Sequence, residues 1–249
     1  MSSLSRFRRN VHSQFGEDGV IEELCRRLEI RSGFFAEFGA WDGKHLSNTF
    51  RLLELGWSGV YIEEDARKFA ELQRNVEPFR GSVVAINARV EESGENRLDA
   101  LLRQACAPAE FELLSIDVDS CDWHIWKSLR DFRPKIVIIE VISSIPVGVF
   151  QTHRGDAVNG SSFTATLELG RRKGYTAVCH TGNLILVRDD LVEKVALPED
   201  ELLYPELLFD YSWRPAASPS CNSAGGMLRD ALQRLRRSIG RIRRRGENL

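Results

Sequence analysis

The chain of 249 residues contains no apolar run close to the ~20 residues that a membrane-spanning helix needs. Cysteine is sparse and scattered: Cys25, Cys106, Cys121, Cys179 and Cys221 are odd in number and include no Cys-x-x-Cys pair. Neither a disulfide framework nor a zinc ribbon is suggested, and a reducing cytoplasm is the expected compartment. The opening residues are basic but no apolar core follows them, so no secretory signal is expected. Net charge is only −2, yet residues 229–245 are rich in arginine. The rest of the chain is therefore acidic, which argues against nucleic acid as its partner.

What is present centres on residues 34–49, Phe-Phe-Ala-Glu-Phe-Gly-Ala-Trp-Asp-Gly-Lys-His-Leu-Ser-Asn-Thr. A short apolar run ends in an acid and a glycine, and a second glycine follows four residues later. This pattern predicts a buried strand, a tight turn and a helix. Glycines there let the backbone approach a ligand, and helix-start amides face whatever sits at the strand's end.

Helices are expected at 20–28, 49–55, 66–75, 97–105, 123–129 and 163–173. Strands are expected at 34–38, 59–63, 82–88, 111–118 and 135–141, with a closing hairpin of 175–179 and 184–188. The alternation argues for a mostly parallel sheet covered on both faces. Residues 142–161 are irregular, and 203–219 read as a loop or surface wrap. A domain of 1–215 is followed by a tail at 216–249. In that tail Leu228, Leu232, Leu235, Ile239 and Ile242 recur at helical spacing among arginines. Such a basic amphipathic helix suits peripheral contact with an anionic membrane surface, here the inner face, or with an acidic polymer.

Four segments together are similar to the FkbM-like S-adenosylmethionine-dependent methyltransferases, a group found with polysaccharide and natural-product genes. They are Ser-Gln-Phe-Gly-Glu-Asp-Gly at 13–19, Glu-Phe-Gly-Ala-Trp-Asp-Gly at 37–43, Val-Tyr-Ile-Glu-Glu-Asp at 60–65 and Ser-Ile-Asp-Val-Asp at 115–119. The resemblance implies a class I, Rossmann-like α/β fold of seven strands, the last inserted antiparallel. It implies S-adenosylmethionine as cofactor and methylation of a sugar hydroxyl on a nucleotide sugar or surface glycan. Three positions depart from the commoner pattern. Asp119-Ser120 stands for an acid followed by glycine, Ser115 for a lysine, and Val141-Ile142 for Tyr-Asn. All lie toward the acceptor.

On that resemblance Glu37 with Gly39, Ala40 and Gly43 holds the amino-acid end of the cofactor, with Asn48 and Thr49 near its carboxylate. Glu63 accepts from the ribose hydroxyls. Asn87 and Ala88 read adenine, and Gln14 and Asp18 close over the site. Each also has a plain structural reading as a turn, cap or strand end. Glu63 suits NAD(P) equally, so an oxidoreductase is an alternative, but the glycine loop lacks Gly-x-Gly-x-x-Gly. A binding protein without turnover is another.

Asp117, Asp119, Asp122, His124 and Glu140 form a cluster in which Asp117 and Glu140 close neighbouring strands; the plain reading of Asp122 and His124 is a solvent-facing cap on the next helix. Asp117, Asp119 and Glu140 are candidate ligands for Mg²⁺ or Mn²⁺, which prefer oxygen donors. Without a metal, a carboxylate or histidine takes the acceptor's proton. Asp117, Glu140 and His153 are the catalytic candidates, with His12, His45 and His180 as further bases. His153 and Arg154 lie in the irregular segment, where they could meet a diphosphate or acidic sugar.

Overall fold

The computed structural model describes residues 2–155 and 157–213. The basic tail, Cys221 and the domain boundary at 215/216 lie outside the described residues. Seven strands form one sheet: β1 Phe34–Phe38, β2 Ser58–Glu63, β3 Val83–Asn87, β4 Leu113–Ile116, β5 Ile136–Glu140, β6 Tyr175–His180 and β7 Asn183–Arg188. Their order is β3-β2-β1-β4-β5-β7-β6. The first five run parallel, and β7 enters antiparallel between β5 and β6. This is the class I methyltransferase arrangement.

The parallel strands are buried on both faces and so read as nearly continuous apolar runs. Alternate residues feed opposite layers. Ala36, Phe38, Val60, Ile62, Leu114 and Ile116 share one core with helices α4 Leu98–Gln104, α5 Asp122–Ser128 and α6 Phe163–Lys173. Phe35, Tyr61, Leu113, Ile136 and Ile138 share the other with α1 Glu17–Arg27, α2 Phe50–Glu54 and α3 Ala66–Val76. Local chemistry sets the helix ends. Asp65 caps α3 by accepting from the amides of Arg67 and Lys68, and Ser162 caps α6 by accepting from Ala165.

Two expectations change. The fourth strand stops at Ile116, so Asp117 stands just beyond the ladder rather than inside it. Residues 205–209 are not a surface wrap: Leu207, Leu208 and Phe209 are buried, and Phe209 stacks on His180 at 4.6 Å between ring centroids. Their 3₁₀ turns carry no helical or strand periodicity, so the sequence pattern could not reveal the burial. No helix among the described residues is long and apolar enough to cross a membrane.

Candidate active site

Connections leave β1 and β4 in opposite directions, which opens a crevice at their carboxyl ends. A cavity of about 470 Å³ lies there. That is the size of a small-molecule or cofactor site.

Gly39 shapes its floor. Its φ is +69°, and a Cβ built on it would lie 1.5 Å from the Asp117 carbonyl oxygen. Only glycine lets the β1 loop pass the end of β4. Trp41 also has positive φ, +49°. Its amide donates to Glu63 Oε2 at 2.7 Å, and the Asp65 amide donates to Oε1 at 2.7 Å. Glu63 thus ties the glycine loop to the end of β2 while still lining the cavity. Each of its oxygens keeps lone-pair capacity for a ligand.

Glu37 is buried in a ring of donors. Ser47 Oγ donates to it at 2.6 Å, Thr49 Oγ1 at 2.7 Å and the Asn48 amide at 2.9 Å. Burial nonetheless pushes its carboxyl above the usual range. The network shapes the turn into α2 and leaves Asn48 on the cavity wall, its Nδ2 donating to Ser115 Oγ at 3.1 Å.

Gln14, Glu37, Gly39, Ala40, Asn48, Glu63, Ala88, Asp117, Asp119 and Glu140 all line the cavity. Five of the sequence-predicted residues do not. Asp18 is turned inward: its Oδ2 accepts from the amides of Val11, His12 and Ser13, each at 2.8 Å, and from Ser13 Oγ at 2.7 Å. It holds the loop that carries Gln14, rather than closing over the site itself. Gly43, φ +73°, packs the loop onto α3, where a Cβ would meet Leu72 at 2.9 Å. Thr49 is wholly buried between Glu37 and the Tyr61 hydroxyl, 3.2 Å away. Asn87 Nδ2 donates to the carbonyls of Glu63 and Glu64, and the Ala88 amide donates to the Glu63 carbonyl. Both amides expected to read adenine therefore brace β2 against β3. His153 lies outside the lining, its carbonyl 3.0 Å from His124 Nε2.

The acidic group is real but differently composed. Ligand-capable oxygens of Asp117, Asp122 and Glu140 lie within 4.8 Å of one another. Asp119, with φ +58°, is exposed and stands at the rim. Asp122 takes its place, its two oxygens accepting from the amides of Val118 at 2.7 Å and Ser120 at 3.0 Å. Burial, then repulsion from Glu140 and other acids, pushes the Asp117 carboxyl up to about 8. Burial first, then Asp122 and Asp119, pushes Glu140 up to about 7. Two carboxyls so placed hold a proton near neutrality, or await a cation.

The other histidines are structural or peripheral. His12 pairs with Glu54 at 3.2 Å, and His45 with Asp42 at 2.5 Å on the cavity wall. His180 is buried, which pulls its imidazole down to about 3. Its Nδ1 accepts from the Asp210 amide, so Nε2 carries the proton toward Ser143 Oγ. That tautomer cannot take a proton from the serine, so the pair is no nucleophilic dyad. Arg89, Val90 and Cys121 line the cavity without having been anticipated. Arg89 and Val90, the two residues after Ala88, could have been found by extending the strand end by one turn. Nothing in the letters marks Cys121.

No family model matches the chain, and no curated protein does either. Among solved structures it is similar to magnesium protoporphyrin IX methyltransferase from Synechocystis, described with bound SAM, at 12% identity over 69% of this chain and 77% of that one, TM-score 0.44. It is similar to precorrin-6y C5,15-methyltransferase from Geobacter metallireducens, at 11% over 68% and 85%, TM-score 0.42. It is also similar to the [4+2]-cyclase SpnF, at 12% over 70% and 67%, TM-score 0.46. The fold assignment rests on the strand order and the reversed seventh strand, not on these likenesses.

Proposed function

We propose that this chain is an S-adenosylmethionine-dependent O-methyltransferase of the FkbM-like kind, acting on a hydroxyl of a sugar or glycan. The observation that carries the reading is the Gly39 loop, pressed against the Asp117 carbonyl with Glu63 facing the same cavity. A cradle that a Cβ would fill, beside a strand-end carboxylate, fits a nucleoside bound through its ribose. Glu63 would accept from the ribose hydroxyls. Asn48 and the loop ordered by Glu37 would hold the amino-acid end, and Gln14 would close the outer wall.

S-adenosylmethionine, when bound, supplies an electrophilic methyl on a sulfonium. That methyl would go to the acceptor oxygen, with the C–S bonding electrons left on sulfur. The hydroxyl proton passes to Asp117, the carboxylate that faces the cavity at the end of β4. Orientation and exclusion of water do the rest. In the competing scheme a divalent ion, Mg²⁺ or Mn²⁺, held by Asp117, Asp122 and Glu140 would lower the pKa of the acceptor hydroxyl instead.

Calorimetric binding of S-adenosylhomocysteine, lost in Gly39→Arg, tests the site; undiminished binding in that variant removes it. Thermal protection by S-adenosylhomocysteine but not NAD⁺ separates this reading from an oxidoreductase. Full activity after chelation removes the metal.

A further inference from the structure

The carboxylates that face or flank the cavity differ in how they are satisfied. Glu37, Glu63 and Asp122 each accept hydrogen bonds from backbone or side-chain donors. Asp117 and Glu140 accept none among the described residues; only burial and neighbouring negative charge act on them. Both face the cavity, with oxygens within 4.8 Å of each other. Both are partly buried and open to the cavity, so a ligand that brings donors takes the place of water at their oxygens.

Charge says which donors. The basic side chains on the cavity wall are paired elsewhere. Arg89 follows the end of β3 and lies 3.6 Å from Glu64, and His45 is held by Asp42 at 2.5 Å. The acceptor end, bounded by Asp117, Asp119 and Glu140, has no protein cation among the described lining residues. A diphosphate or uronate placed there would face like charge without a counter-ion. A neutral hydroxyl offers one donor; an ammonium offers three and a compensating charge. Two unfilled carboxylates this close can receive two adjacent donor groups of one small molecule.

We propose that the acceptor carries a free ammonium beside the hydroxyl that is methylated, as in an unacylated amino sugar, with the ammonium against Glu140 and the hydroxyl against Asp117. The proposal rests on the methyltransferase reading above and narrows its acceptor: nucleotide diphosphate sugars are poor candidates. In the transfer step Asp117 takes the hydroxyl proton, while the ammonium stays charged and bonded to Glu140.

The test uses the full chain saturated with S-adenosylhomocysteine, whose own binding reports on the methyltransferase reading separately. Glucosamine and galactosamine are titrated by calorimetry, alongside N-acetylglucosamine, N-acetylgalactosamine, UDP-glucose and Mg²⁺. Acetylation removes the charge and two donors, so the free amines are expected to bind about tenfold tighter or better, the equivalent of one charge-assisted hydrogen bond. Glu140→Gln should abolish that preference. Glu140→Asp, which keeps the charge, should retain part of it, and S-adenosylhomocysteine affinity in each variant checks the fold. Equal or tighter binding of the N-acetyl sugars or UDP-glucose would overturn the proposal. So would no binding of either free amine by a chain that binds S-adenosylhomocysteine, or acceptor binding that requires Mg²⁺.

Discussion

The two halves of the sheet's carboxyl edge treat their acids in opposite ways. On the β1–β2 side, Glu37 and Glu63 spend their oxygens on the backbone and hydroxyls of the loops beside them. On the β4–β5 side, Asp117 and Glu140 are left bare. The first pair builds the wall of the cavity; the second offers its charge to whatever enters. An acid at a strand end is thus a mortar or a hand, and its neighbours' amides decide which.

The comparison breaks most sharply at Gly39. Gly39→Ala drives a Cβ into the Asp117 carbonyl at a backbone angle that favours glycine, so S-adenosylhomocysteine binding should fall by more than about 100-fold by calorimetry. Next is Asp117→Asn: turnover should fall about 10²–10⁴-fold, as expected for loss of a general base, with S-adenosylhomocysteine affinity changed far less. Equal losses in both would mean that the residue belongs to the cofactor half. Glu63→Ala strands the amides of Trp41 and Asp65 and should cost about 1–3 kcal/mol for each donor left buried, read as weaker cofactor binding and a lower melting temperature.

Protonation sharpens the contrast. The bare pair must ionise to work, so activity should rise as pH passes through about 7 and about 8. Stability should run the other way. Both carboxyls bind protons more tightly folded than unfolded, so the folded state loses stability as pH climbs from the ordinary carboxylate range toward 8. Asp117→Asn should therefore raise the melting temperature at pH 8 and not at pH 4. The gain would be about 2–4 °C per kcal/mol recovered. The smallest effect is expected at Asp18→Asn. Loss of its charge weakens the four hydrogen bonds that hold the Gln14 loop, and should raise the KM for cofactor a few-fold while leaving kcat nearly unchanged.

Periodicity and punctuation made the fold legible. The strands from Phe34, Ser58 and Ile136 and the helix at Phe163–Lys173 lie within a residue or two of where apolar runs and glycines put them. The glycine loop and Glu63 were readable because each ends a strand in its own short strand–turn–helix pattern. Asp18, Thr49 and Asn87 were not, since an inward-turned cap and a ligand-facing residue use the same letters. Their roles come from hydrogen bonds that only folding creates. The same holds for the exchange of Asp119 for Asp122: one residue of left-handed backbone at Asp119 swings it to the rim.

The wall that carries Gln14 is anchored to residues far along the chain. Ser3 donates to Glu201 at 2.6 Å, Arg8 pairs with Asp210 at 2.9 Å, and Glu17 accepts from Thr181 and Asn183. A chain that emerges at about 5–20 residues per second cannot make those ties until its far end is free. The sheet can assemble before Asp210 emerges, but the finished pocket cannot. A nascent chain that has not yet extruded Asp210 should bury its core and still fail to close around a nucleoside, so ligand binding would report the emergence of that residue.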